Sequence, residues 1–203
     1  TDLDVPFYIA DFSKLEDVRK LAKALIKDIP SIDVLCNNAG GIMSERSLTV
    51  DGNEQTMQVN HYAPFLLTNL LMEKLIKSKA SVINTASVAN TLLSDFDIND
   101  LDLKKGYTPA KAYGNAKLAD ILFTKELHRR YFEKGIASVA FHPGNVATNF
   151  SQTSSSLFMR LVYRSPLRRF LISPEKGAGT LVWLAESTPV KEWKPGEYYV
   201  GRK

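Results

Sequence analysis

Cysteine is almost absent. Cys36 is the only one in 203 residues, so no intrachain disulfide can staple the fold, and its place in an apolar run reads as a small core residue. No apolar run approaches the ~18 residues of a membrane span. The opening Thr1-Asp2-Leu3-Asp4-Val5 does not read as a signal peptide, so a cytoplasmic setting is expected. Histidine is scarce: His61, His128 and His142 lie at wide spacings that make no metal site. Neither sign of charge dominates. The 26 Lys and Arg against 22 Asp and Glu leave a net +4, which gives no case for nucleic acid. The acidic stretch Asp95, Asp97, Asp100 and Asp102 does not match a calcium loop and reads as a solvated loop. Glycine is missing from one telling place. No Gly-rich turn links a first strand to a helix, because Gly40-Gly41 and Gly177-Ala-Gly179 lie in no such unit.

What is present is an ordinary globular balance, 44% hydrophobic and 24% charged, in a length suited to one domain over residues 1–203. Short apolar runs alternate with helical stripes. Val5–Ala10 reads as a strand ending at Asp11. Ser13-Lys14-Leu15-Glu16 matches a capping box, with Leu15, Val18, Leu21, Leu25 and Ile26 along a helical face. Ile32–Cys36 reads as a buried strand, followed by an Asn37–Gly41 loop. Residues 51–78 look mostly helical, Ala80–Ala86 is another short apolar run, and residues 110–132 form a long helix. Ile136–Phe141 is a strand stopped by His142-Pro143-Gly144. Ser173-Pro174 opens a further helix with Ser at the N-cap, and Glu197–Val200 reads as a last strand. Strands alternating with long helices predict an α/β fold with a parallel sheet covered on both faces.

The strongest chemical signal is Tyr113-Gly-Asn-Ala-Lys117. Residues four apart share a helix face, so the ammonium can sit near the phenol. A positive neighbour favours the phenolate and lowers a tyrosine pKa from about 10, giving an acid/base usable near neutrality. Taken alone, such a pair occurs by chance. Ser87 ends an apolar run at the strand terminus where open parallel sheets bind ligands, although a turn or cap serine is the plainer reading. Asn37-Asn38-Ala39-Gly40 also follows a strand and is otherwise an ordinary polar turn. Pro143-Gly144 is otherwise a strand terminator. His142 precedes that turn with no acid or nucleophile pattern around it, which argues against a catalytic histidine.

The order Asn-Asn-Ala-Gly, Asn60, Ser87, Tyr113-xxx-Lys117 and Pro143-Gly144 resembles the short-chain dehydrogenase/reductase superfamily over nearly the whole chain. The stretches His142–Thr148, Asn115–Leu127 and Asp51–His61 are similar to the branch containing retinol dehydrogenases. The resemblance implies a Rossmann-like doubly wound parallel sheet and an NAD(P)-dependent oxidoreductase, NADP favoured. It implies Tyr113 as acid/base, with Lys117 lowering its pKa and binding the nicotinamide ribose. Ser87 polarises the carbonyl, and Asn60, in a disturbed stretch of its helix, holds a proton-relay water. Asp11, Asn37, Asn38, Ala39, Gly40, Pro143, Gly144, Val146 and Thr148, with Tyr113 and Lys117, line the cofactor site. The implied partner is a small apolar carbonyl compound or alcohol. The faces of the helices at 51–78 and 110–132 often pair in relatives and mark a candidate homodimer.

In that family the run Val5–Ala10 corresponds to the third strand of a sheet ordered 3-2-1-4-5-6-7. The first two strands and the Gly-rich turn would then precede Thr1 in about 50 residues, a typical βαβ unit and a little more. The expected fold is therefore incomplete at its N-terminus. It has a gap of roughly 14 Å beside the strand at Ile32–Cys36, three strand spacings. The alternative is a rewired sheet in which residues 5–10 pair directly with 33–36. The resemblance also casts residues 151–172 as a substrate lid. Arg160, Arg164, Arg168 and Arg169 beside Phe158 and Phe170 suggest a membrane-surface helix instead, and plain core packing is the third reading. Function has its own alternatives: a non-catalytic scaffold that kept the fold, or a cofactor-binding-defective fragment of such an enzyme.

Overall fold

The computed structural model describes residues 5–144 and 172–202. Among them, four strands form one parallel sheet in chain order: β1 (Val34–Asn37), β2 (Ser81–Thr85), β3 (Ala137–His142) and β4 (Tyr198–Val200). Val34 stands opposite Ser81, Ser81 opposite Ala137, and Ala140 opposite Tyr198. Parallel neighbours need long crossovers, and helices supply them. α1 (Leu15–Asp28) precedes β1. A broken helical run joins β1 to β2: α2 (Gln55–Met57), a π-helical stretch (Gln58–Tyr62), α3 (Ala63–Leu70) and α4 (Met72–Ser78). α5 (Ala89–Leu92) and α6 (Pro109–Tyr131) lie between β2 and β3, and α7 (Pro174–Glu186) precedes β4.

Strand alternation sorts the core into two faces. Val82 turns toward Val18 and Ala22 of α1, Leu67 of α3, and Phe123 and Leu127 of α6. Its neighbour Ile83 turns the other way, toward Val139, Phe141, Trp193 and Leu184 of α7. Each such fully buried aliphatic side chain contributes about 2 kcal/mol. The sheet is therefore covered on both sides, as a doubly wound α/β fold requires.

Local chemistry explains most helix starts. Thr108 caps α6 by accepting from the Lys111 N–H at 3.1 Å, and Pro109 occupies the first turn, where no N–H is missed. Ser173 and Pro174 start α7 in the same manner. α1 departs from its expected capping box. Its N-cap is Lys14, without a side-chain bond. The Ser13 hydroxyl donates to Asp11 Oδ1 at 2.7 Å, and the Leu15 N–H is taken by Asp51 at 2.9 Å. A carboxylate from a distant loop thus replaces the local cap.

The strand expected at Val5–Ala10 needs correction. Residues 5–10 form no strand, and Val5, Phe7 and Ile9 are exposed. They do not pair with β1, so the rewired sheet is not what forms. An extended segment without a hydrogen-bonding neighbour has nothing to make it a strand. Among the described residues β1 is consequently an edge strand, with three half-covered residues and one exposed, rather than a buried one. Cys36 on it is exposed rather than core.

Candidate active site

The carboxyl ends of β1, β2 and β3 converge with the N-terminal half of α6. β2 ends at Thr85, and Ser87 follows in the turn into α5, accepting from the Ala89 N–H at 3.2 Å. Tyr113 lies on the second turn of α6, buried, with Ser87 near enough to act on its phenol. Gly114 makes this possible. A Cβ there would lie 2.7 Å from Leu93 and Ser94 backbone atoms, so only glycine lets α5 approach α6 so closely.

Lys117, one turn on, is 4% exposed. Its ammonium lies 5.7 Å from the Tyr113 ring centre, donates to the Thr85 carbonyl at 2.8 Å, and donates to Asp120 Oδ2 at 3.0 Å. Burial works against the lysine's charge, but Asp120 and Tyr113 outweigh it and hold its pKa above the usual value. Tyr113 shows the opposite balance. Burial pushes its phenol up, Lys117 and Ser87 pull down, Asp120 adds to the rise, and the net direction is upward. The expectation that Lys117 lowers this pKa holds for its own contribution and not for the sum.

Asn60 sits inside the π-helical stretch, a distortion frequent at functional sites. Its side chain accepts from the Gly41 N–H at 3.1 Å and donates to the Gly41 and Thr56 carbonyls, both at 2.8 Å. It thereby clamps the loop after β1 against the π-helical stretch. A Cβ on Gly40 would meet Asn60 Oδ1 at 2.4 Å and lie 3.8 Å from Lys117 Nζ, so a side chain there would force the loop away.

The remaining expected residues divide. Asn38 accepts from the Thr85 hydroxyl at 2.9 Å, and Asn38, Ala39 and Gly40 are exposed at the sheet's carboxyl edge. The Asn37 side chain instead turns into the sheet, donating to Asn84 at 2.8 Å and Thr68 at 3.0 Å. Asn84 continues to Thr124 at 2.8 Å, giving a buried polar ladder that locks β1, β2, α3 and α6 in register. Asp11 binds the Ser13 N–H and hydroxyl and pairs with Lys14, and those hydrogen bonds hold its carboxyl below the usual range. Pro143 and Gly144 follow β3, with Gly144 at φ +88° against Ile172. Val146, Thr148 and nearly all of segment 151–172, expected as a substrate lid, lie outside the described residues. His142 ends β3 buried, its imidazole pKa pushed down by burial. Among the described residues no cluster could hold a metal ion, and no helix is long and apolar enough to cross a membrane.

Sequence reasoning passed over Asp120 and weighed His61 only as a metal ligand. The available signal was an acid three residues after Lys117, hence on the same helix face.

Residues 2–157 match the family described as short chain dehydrogenase. The chain is 37% identical over 195 residues to a candidate daunorubicin C-13 ketoreductase of Streptomyces sp. (strain C5), covering 96% of this chain and 64% of the relative. It is 39% identical over 171 residues to human retinol dehydrogenase 11, covering 84% of this chain and 52% of the relative. Its structure resembles that of a Pseudomonas aeruginosa RhlG/NADP active-site complex, with a TM-score of 0.67 and 25% identity over 94% of this chain and 73% of that one. The chain belongs to the short-chain dehydrogenase/reductase family, and within it resembles the retinol dehydrogenase branch. It spans between 52% and 64% of the length of these curated relatives.

Proposed function

We propose that this chain carries the catalytic centre of an NAD(P)-dependent oxidoreductase, NADP preferred, that interconverts a small apolar carbonyl compound and its alcohol. The observation that carries the reading is the buried Tyr113 phenol near Ser87 at the carboxyl end of β2, with the Lys117 ammonium buried 5.7 Å from the tyrosine ring centre and held by the Thr85 carbonyl. Fit to a nicotinamide cofactor is supported by the exposed Asn38–Gly40 backbone, the room left by Gly40, and a lysine that still has a third N–H for a ribose hydroxyl. When bound, the nicotinamide supplies or accepts the hydride. Ser87 donates to the carbonyl oxygen and orients it. Tyr113 gives that oxygen a proton in the reducing direction and removes it in the oxidising direction. Burial raises the phenol's pKa and keeps it in the acid form, the form that protonates the carbonyl oxygen in reduction. The preference for NADP and for an apolar substrate leans on the names of the similar proteins.

The experiment is a fluorescence titration with NADPH and NADH, followed by turnover on a panel of apolar aldehydes and ketones. Tyr113→Phe is expected to lower kcat by about 10²–10⁴-fold while leaving cofactor affinity in place. Unchanged turnover would defeat the mechanism. Failure to bind either cofactor would favour a scaffold or a binding-defective fragment.

A further inference from the structure

Asp120 has no role in the chemistry above, yet the buried lysine leans on it. It lies on α6, 5% exposed. Oδ2 accepts from Lys117 Nζ at 3.0 Å, and Oδ1 is 3.1 Å from His61 Nδ1. An ionised carboxylate only accepts, so His61 carries its hydrogen on Nδ1. The imidazole is held by the rings of Tyr62, Phe65 and Phe123. Both carboxylate oxygens thus have a donor, Lys117 buried and His61 partly so, the arrangement a buried ion pair needs.

We propose that Asp120 is a positioning residue of the Ser87–Tyr113–Lys117 centre: its carboxylate anchors the Lys117 ammonium against Thr85 and beside Tyr113, and His61 braces that carboxylate from the other side. The catalytic consequence rests on the reading of Tyr113 as acid/base; the ion pair itself does not.

The surroundings are sparse in charge. Among the described residues, the titratable groups on packed elements besides Lys117 and Tyr113 on α6 are His61 and Tyr62 from the π stretch and His142 at the far end of β3. Tyr198 of β4, whose phenol feels Tyr113, and Glu133 and Lys134 of the 3-10 turn at the other end of α6 complete the set. The elements α2, α5 and β2 bring none. Removing the carboxylate has two opposed effects on Tyr113. It relieves a like-charge repulsion, which favours the phenolate. It also strips Lys117 of its counter-ion, which disfavours the phenolate once the lysine loses its proton. The second wins, because burial is the largest influence on Lys117, and without the carboxylate only Tyr113 and the neutral Thr85 carbonyl would oppose it.

The test is lysine NMR on the cofactor-free chain, with the Lys117 signal identified by its loss in Lys117→Met. In the wild type, Lys117 stays charged through the ordinary lysine pKa of about 10.4. In Asp120→Asn it titrates lower by at least about one pH unit, and in Asp120→Glu it returns toward the wild type. In turnover, the limb of the alcohol-oxidation pH profile set by Tyr113 moves to higher pH in Asp120→Asn, with KM little changed, and moves back in Asp120→Glu. The proposal is overturned if wild-type Lys117 titrates below the ordinary range, a result that needs no folded variant. It is equally overturned if Asp120→Asn leaves the Lys117 titration in place, or loses kcat evenly across pH. An inactive wild type sinks the acid/base reading while the NMR still decides the ion pair.

Discussion

Ile83 and Ile9 occupy short apolar runs that look alike in the sequence and end in opposite environments. Ile83 is 0% exposed in the middle of β2, between two paired strands and under α7. Ile9 is 92% exposed in a segment that pairs with nothing among the described residues. β1 lies between these extremes, with one bonded edge and half-covered side chains. Burial of a strand thus follows the number of its partners, and composition alone does not report that number.

The sharpest way to break this comparison is to truncate both residues. Ile83→Ala is expected to cost about 2–5 kcal/mol, since the cavity would lie between packed layers. Urea unfolding midpoints measure it, and a loss under 1 kcal/mol would show that the sheet centre is looser than its packing suggests. Ile9→Ser should leave stability within about 0.5 kcal/mol of the wild type. A larger loss in the same assay would mean that residue 9 is covered in solution. The smallest effect belongs to the exposed face of α6. Hydrogen bonds from Arg129 and Arg130 hold Glu126 down to about 2. A depressed carboxyl contributes above its unfolded pKa of about 4.3, and the contribution fades as pH falls toward about 2. Its exposure to solvent, 42% of the side chain, screens it. Glu126→Gln should therefore shift Tm only slightly at pH 7, with the difference closing in melts taken down to pH 2. A gap that widens on acidification would contradict the sign.

The comparison also shows what could be read in advance at the site. Ser87, Tyr113 and Lys117 were legible because each lies where a local rule puts it: a strand end, a helix, one turn further on. The start of α7 was legible because Ser173 and Pro174 act on their own backbone. The start of α1 was misread because Asp51, far along the chain, supplies its cap. Asn37 was placed in the correct loop region, but its side chain serves Asn84 and Thr68, partners set by strand register and by α3. The upward balance at Tyr113 escaped sequence reasoning because desolvation depends on everything packed around the ring.

By itself, then, the sequence determined the α/β class, the order of the described elements from α1 onward, the family, and the residue types gathered at the carboxyl ends of the strands. These follow from periodicity, capping and spacing, which act over a few residues. Tertiary structure alone decided that residues 5–10 stay out of the sheet, that Cys36 is exposed, and that Asp120 and His61 close around Lys117. Each depends on which distant segments meet, and the energy of a hydrogen bond or a buried charge is set by the partner that arrives.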